Sequence, residues 1–283
     1  LSYHHGLPIP SFYTEWIAAT LGLAALTLFL RNRHWQDMEL PIIALVPLGL
    51  IMVLLIQLPT DRIVFPERNI LGASYLLWAA LLMLLSRVLT RELGLPEVVE
   101  TLAWFLLCGG IMNAGIAIFQ QFAVDSFLDP VILKRVRIPF ANLGQANHFS
   151  DYIALALGSL MFLLSRRRLA LGTVLAAGAL LLYVLPFSGS RSSWLYVIAL
   201  AGLSLWFFMA DRRDEHKRLL IAGVLLLLGF ALLQIKALAL VPSGVLTPTD
   251  NLFNFAGSKS DRFAIWLEAW KMFLQAPLLG VGF

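Results

Sequence analysis

The sequence predicts an all-α, polytopic helical membrane protein with about eight transmembrane spans and an amphipathic helix on its outer face. Three observations carry this expectation. Hydrophobic residues fill 59% of the 283 positions and charged residues only 13%, against roughly 25% charged in average globular chains. Apolar runs recur at about 17–24 residues, the length a helix needs to cross a bilayer. These runs are continuous and rich in Leu and Ala, without the alternation of a membrane β-barrel.

The expected spans are Phe12–Leu30, Leu40–Leu58, Ile70–Leu89, Val98–Phe122, Phe149–Leu164, Leu169–Pro186, Ser193–Ala210 and Leu219–Leu240. The first opens on Tyr13 and Trp16, residue types that anchor helices at membrane interfaces, and each later span is set off by a polar or charged connection. Taken in order, the odd connections are Arg31–Glu39, Arg87–Glu97, Ser165–Arg168 and Asp211–Arg218. They hold 11 Lys and Arg in 32 positions, whereas the even ones hold 9 in 85. The denser set belongs in the cytoplasm. The run Arg166–Arg168 and the cluster Arg212, Arg213, Lys217 and Arg218 decide this. Residues 1–11, 123–148, 187–192 and 241–283 then share the outer face.

We expect one membrane domain over residues 1–283, with a distinct N-terminal segment at 1–30. The formal charge of +4 reflects cations in loops, so nucleic acid is not an expected partner; the lipid bilayer is. The single cysteine, Cys108, lies in a span, so no intrachain disulfide forms and cysteine says nothing about compartment. Leu1 is not a start methionine and GVGF closes the sequence in mid-motif. Further segments on both sides are therefore expected.

In the last segment Phe263, Trp266, Leu267, Trp270 and Leu274 recur at helical spacing, making one apolar face. Ser258 or Ser260 would cap this helix, and Asp261 suits its first turn. Its aromatic face fits either the headgroup region or packing on the bundle.

Three constellations can carry chemistry. The first is RIPFANLGQANH, Arg137 to His148, with Lys134 and Arg135 just before it. Cations beside the amides of Asn142, Gln145 and Asn147 can seat phosphate oxygens or grip sugar hydroxyls. Asn147 can alternatively cap the next helix, and a lone His such as His148 is more often structural than an acid or base. The second is SGSRSS, Ser188 to Ser193, where Ser190 or Ser192 can cap the following span. Arg191 beside a helix N-terminus is electrostatically unfavourable unless an anion joins it, or unless it snorkels to headgroups. The third is Lys259 and Arg262 at the start of the last helix; Arg262 can also pair with Asp261 or stack near Trp266. Tyr13 and Glu15 are further acceptor-binding or structural candidates, and Asn113, Gln120 and Gln121 can serve as interhelical hydrogen-bond groups. No HExxH, CxxC, P-loop or GxSxG motif is present, which leaves zinc hydrolase, nucleotide-driven and serine hydrolase chemistry without support.

In combination, IPSFYTEW (Ile9–Trp16), RIPFANLGQANH, SGSRSSWL (Ser188–Leu195), SDRFAIWLEAW and GVGF resemble, in order, the motifs of the O-antigen ligase and polymerase superfamily. The branch they look most like is the bacterial protein O-oligosaccharyltransferases, the pilin-glycosylation ligases. Residues 123–283 would be the ligase-like region, with outer loops 123–148, 187–192 and 241–283. Ala141 and Ala146 stand where the resemblance leads one to expect Gly and Pro.

The resemblance implies en bloc glycan transfer at the periplasmic face of the inner membrane. The donor would be an undecaprenyl-diphosphate-linked oligosaccharide. The acceptor would be a pilin-like protein's Ser or Thr hydroxyl, or in other branches lipid A core or a glycan repeat unit. Arg191 and Arg262 would be catalytic, stabilising the leaving diphosphate. Lys134, Arg135, Arg137, Asn142, Gln145, Asn147, His148 and Lys259 would bind the donor. No metal, nucleotide or other cofactor is implied, and the family's essential His falls in a loop beyond GVGF. A polyprenyl-glycan flippase is the expectation of another class. It requires a polar path through the spans, for which the sequence offers only scattered groups such as Asn113, Gln120, Gln121 and Lys236.

Overall fold

The computed structural model describes residues 12–27, 39–58, 66–126, 129, 132, 138–235, 240–253 and 261–277, with the side chains of all but 12–16 and 261–262. Ten α-helices follow one another among these residues: α1 Phe12–Leu26, α2 Leu45–Gln57, α3 Pro66–Leu93, α4 Leu95–Phe122, α5 Ala146–Ser165, α6 Leu171–Val184, α7 Ser192–Ala210, α8 Asp214–Leu233, α9 Pro248–Phe253 and α10 Asp261–Gln275. No strand occurs among the described residues, so the fold is all-α, as expected.

Among the described residues six helices are long and apolar enough to cross a membrane: α3, α4, α5, α6 with its 3-10 extension to Ser188, α7 and α8. The first two expected spans correspond to the shorter apolar stretches Ile17–Leu26 and Ile42–Gln57.

The expected connection Arg87–Glu97 is not a loop. Helix α3 runs on to Leu93 and α4 begins at Leu95. The turn between them is Gly94, at φ +86, whose N–H donates to the Thr90 carbonyl at 2.9 Å. A left-handed residue ends a helix this way, and glycine takes that conformation without strain. Pro96 then falls in the first turn of α4, where a missing N–H costs nothing. The charges of Arg87, Arg91 and Glu92 mark a change of solvent, and a helix leaving the apolar layer has no reason to unwind.

The chain divides into two compact units. One comprises Leu1–Glu15 and Val99–Gly257, the other Trp16–Val98 and Ser258–Phe283. In the first unit α5 is central, with 56% of its apolar stretch buried against 17% for α7. Ile153, Leu157, Leu160 and Leu164 of α5 share one core cluster with Val174 and Leu181 of α6, Val197 of α7, and Leu226 and Phe230 of α8. Trp194 meets Phe230 edge-on, with centroids 4.9 Å apart. The opposite side of α7, with Leu195, Ile198, Trp206 and Met209, is exposed; an apolar face of this kind is at home against lipid tails.

The basic run closes α5. Arg167 is left-handed at φ +58, the Arg167 N–H donates to Leu164 O, and the Arg168 N–H donates to Leu163 O. This is the paired bonding of a Schellman cap. Arg167 then reaches Glu215 of α8 at 2.6 Å, and Arg168 reaches Glu100 of α4 at 2.6 Å. These basic residues tie three helices together at one end of the unit.

In the second unit α2 packs on α3. Buried Asn69 donates its Nδ2 to the Leu54 carbonyl at 3.0 Å. Arg87 holds Glu39 at 2.7 Å, and this bond and charge keep the Glu39 carboxyl below its usual range. In α10 the expected apolar positions Phe263, Trp266, Leu267, Trp270 and Leu274 all fall on a helix and are all exposed. The residues expected to cap it, Ser258 and Ser260, lie outside the described residues.

Candidate functional site

The polar connection before α5 is held from below by one buried side chain. Gln120, near the end of α4, is 2% exposed. Its Oε1 accepts from the N–H groups of Phe140 (3.1 Å) and Ala141 (2.8 Å), and its Nε2 donates to the Ala141 carbonyl at 2.7 Å. Ala141 is fully buried and lies at φ +52, and Gly144 follows at φ +75. Gln120 supplies the bonds that a helix or sheet would have given this backbone. The group expected to link helices thus shapes the loop.

Helix α5 begins earlier than expected, so Asn147 and His148 lie in its first turn. Asn147 does not cap it. The N-cap is Gln145, in extended conformation and with no side-chain cap bond. Gln145, Asn147 and His148 are exposed, and Asn142 is half-buried. The Phe149 N–H bonds the Gln145 carbonyl at 3.0 Å, whereas the N–H groups of Ala146, Asn147 and His148 precede the first helical bond and the Gln145 side chain does not cap them. They add to the exposed amides around them.

The second element is the turn into α7. A 3-10 turn, Leu185–Ser188, ends at Gly189 with φ +59. The Ser188 hydroxyl donates to Leu185 O at 2.8 Å and accepts the Ser190 N–H at 3.1 Å. Neither Ser190 nor Ser192 caps α7, because their hydroxyls are 2.8 Å apart and bond each other. The N-cap is Arg191, with no side-chain cap bond. Arg191 therefore stands at the helix N-terminus, half-buried, as the charge argument expected.

The connection 240–253 folds over this turn. Thr247 and Asp250 make reciprocal bonds, Thr247 N–H to Asp250 Oδ2 at 3.0 Å and Asp250 N–H to Thr247 Oγ1 at 3.3 Å. With Pro248 between them, this is a capping box that starts α9. From α9, Thr249 accepts the Trp194 Nε1–H at 3.1 Å and Asn251 donates Nδ2 to the Gly189 carbonyl at 2.6 Å. A Cβ on Gly189 would lie 2.8 Å from Asn251 Nδ2 and 2.9 Å from Leu246 O. Both the backbone conformation and the close cover require glycine there.

The two elements meet. Ser150 and Ser193 share a buried hydrogen bond of 2.9 Å, and Tyr196 Oη donates to Asp151 Oδ1 at 2.6 Å. The start of α5 and the start of α7 thus lie side by side, at the end of these helices opposite Arg166–Arg168. Asn142, Gln145, Asn147, His148 and Arg191 gather at this end.

The remaining expected residues are not placed there. Lys134, Arg135, Arg137 and Lys259 lie outside the described residues, as does Lys236. Tyr13 and Glu15 fall on α1 and Arg262 on α10, with side chains outside the description. Among the described residues no three His, Cys, Asp or Glu side chains gather in a group that could hold a metal ion.

Sequence reasoning missed three contributors. Asp151 was visible as an acid inside an apolar run, a signal in its own right. The Thr-Pro-Thr-Asp spacing at 247–250 is a legible helix start. Tyr196 carried no signal, because a tyrosine in a span is ordinarily an anchor.

Residues 176–283 match the sequence family described as O-antigen ligase. The match takes in the Gly189–Arg191 turn, α7 and α10, and it bears out the resemblance read from those motifs. The chain is also 26% identical, over 289 aligned residues, to a General O-oligosaccharyltransferase from Acinetobacter baylyi. That alignment covers all of this chain and 50% of the relative, so the chain spans about half the length of the curated protein it matches. No solved structure matches it.

Proposed function

We propose that this protein transfers an oligosaccharide en bloc from an undecaprenyl-diphosphate-linked donor to a Ser or Thr hydroxyl of a pilin-like protein, at the periplasmic face of the inner membrane. The observation that carries the proposal is the pairing of two helix starts, one with Asn147 and His148 and the other with Arg191, at the end of the bundle away from the basic turns. Two helix N-termini and a guanidinium suit a diphosphate. The likeness to an O-oligosaccharyltransferase over the whole chain supports a glycan as the group transferred, and the bias of Lys and Arg toward the opposite end supports the periplasmic side.

In this reaction the acceptor oxygen attacks the anomeric carbon and forms the new glycosidic bond. The bond from that carbon to the diphosphate oxygen breaks, its electron pair stays on the diphosphate, and the hydroxyl proton leaves to a base. Negative charge grows on the departing diphosphate, so a fixed cation aimed there lowers the barrier. Arg191 and Arg262 take this role. Lys134, Arg135, Arg137 and Lys259 dock the donor, together with the amides of Asn142, Gln145 and Asn147 and the His148 ring. The lipid diphosphate is already an activated leaving group, so no nucleotide enters.

The match to the family described as O-antigen ligase favours a second reading of the acceptor, lipid A core in place of pilin. One experiment separates the two. The protein is expressed in membranes with a lipid-linked glycan, a pilin and a core lipid, and the product is identified by mass spectrometry. Glycan on pilin supports the proposal, glycan on core lipid supports the second reading, and glycan on neither removes both.

A further inference from the structure

Helix α5 carries an acid where the bilayer penalises one. Asp151 lies on the second turn of α5, where the polar start of the helix gives way to its apolar run, half-buried at the wall of a groove of about 590 Å³. Leu102 and Leu106 of α4, Leu155 and Phe162 of α5, and Leu200 of α7 line the groove with it. Among the described residues only Tyr196 hydrogen-bonds to the carboxyl, and no Lys or Arg is paired with it. A leucine here would fill the groove at no electrostatic cost, whereas ionisable groups inside spans are expensive and are mostly functional.

The geometry shows what the acid can do. The bond from Tyr196 Oη to Asp151 Oδ1 is short, at 2.6 Å, as expected for a hydroxyl on a carboxylate. One residue back on α5, Ser150 bonds Ser193 of α7 at 2.9 Å, with both side chains buried. Two polar ties therefore join the same two helices within two turns of their starts. Asn147 stands four residues before Asp151, and Arg191 five before Tyr196. Apolar contact alone fixes such a pair less sharply, because lipid tails are as apolar as the helices and only side-chain packing opposes sliding. Directional bonds oppose it further.

We infer that Asp151 and Tyr196 are a positioning pair, which sets the place of Asn147 and His148 relative to Arg191 for the transfer reaction. The inference rests on the proposed function, and neither residue touches the reacting atoms. Misplacement of reacting groups by about 1 Å costs up to about 100-fold in rate. Asn147 and His148 also dock the donor, so kcat should fall and the donor KM should rise with it.

The test uses the intact protein in lipid nanodiscs with Tyr196→Phe, Asp151→Leu and Asp151→Asn. The amide oxygen of Asp151→Asn still accepts from the tyrosine. Transfer rates are read beside melting temperature and the electron spin resonance distance between labels on Gln145→Cys and Leu195→Cys in a Cys108→Ser background. We expect Tyr196→Phe to lower kcat by about 10–100-fold and to raise the donor KM, at unchanged melting temperature, with a broadened distance distribution. Asp151→Leu should match it, and Asp151→Asn should stay near the wild-type rate and distance. Wild-type kcat and distance in both Tyr196→Phe and Asp151→Leu overturn the inference. So does an Asp151→Asn as damaged as Asp151→Leu, since charge rather than geometry would then matter. A wild type that transfers no glycan refutes the proposed function alone, and the distance measurement still judges the pair.

Discussion

Gln120 and Ala141 hold each other by two hydrogen bonds, the Gln120 Oε1 accepting from the Ala141 N–H at 2.8 Å and the Gln120 Nε2 donating to the Ala141 carbonyl at 2.7 Å. The contact is buried on both sides. It fastens the loop to α4 at a residue whose backbone is left-handed, at φ +52, without being glycine. A non-glycine residue in that region costs roughly 1–2 kcal/mol, a strain that persists only where the surroundings fix it.

Gln120→Leu removes all three bonds to the loop and takes the partner from the part-buried Phe140 N–H and from the buried N–H and carbonyl of Ala141. Each unsatisfied group costs about 1–3 kcal/mol. We expect a clear fall in the thermal unfolding midpoint of the detergent-solubilised protein, and faster proteolysis near Ala141. Unchanged proteolysis of the loop would show that Gln120 is not its anchor.

Ala146→Pro should stabilise. Ala146 is the first residue of α5, where no helical N–H bond is lost, and Gln145 before it is already extended, at φ −148 and ψ 138. That conformation is the one a following proline imposes. Substitutions of this kind yield about 0.4–1 kcal/mol through the unfolded chain. A lowered unfolding midpoint would contradict the helix start assigned here.

Gly189→Ala should destabilise, by about 1–3 kcal/mol for strain at such a position. The methyl group meets Asn251 Nδ2 and the Leu246 carbonyl below 3 Å. The double variant with Asn251→Ala clears only one of these, because Leu246 O belongs to the backbone. Its unfolding midpoint should stay below that of Asn251→Ala alone. Full recovery to that level would mean that the backbone over Gly189 gives way freely.

The spans were legible because composition and run length report the solvent directly, and charged ends mark where that solvent changes. They do not mark where a helix stops, which is why α3 and α4 extend past Leu89 and Val98 to meet at Gly94. The polar residues at 142–148 and Arg191 were legible as anomalies in an apolar chain. Their proximity was not, since it depends on Ser150 meeting Ser193 and Asp151 meeting Tyr196, pairings between helices that no local spacing encodes. Capping failed as a guide at Asn147, Ser190 and Ser192. At the first of these the helix starts earlier, and at the other two the hydroxyls bond each other.

Orientation can be tested apart from chemistry. In a Cys108→Ser background, Gln145→Cys should react with a membrane-impermeant thiol reagent from the periplasm, and Arg167→Cys only after the cytoplasm is opened. The two residues flank α5, whose 20 residues span about 30 Å at 1.5 Å per residue. Labelling of Gln145→Cys from the cytoplasm alone would place the polar end on the wrong side for a periplasmic acceptor.

Arg191 and Arg262 are the groups on which the proposed chemistry leans most. Arg191→Ala should lower kcat by about 10²–10³-fold, the usual cost of removing one group that stabilises developing negative charge, while the protein stays folded. Arg191→Lys should recover only part of the rate, because an ammonium keeps the charge but lacks the planar fork that grips two phosphate oxygens. Arg262→Ala should lower kcat in the same way, and the product identified by mass spectrometry should fall with it. If both alanine variants transfer glycan at the wild-type rate, leaving-group stabilisation must come from elsewhere. The start of α7 would then be a docking point for the donor and not a catalytic one.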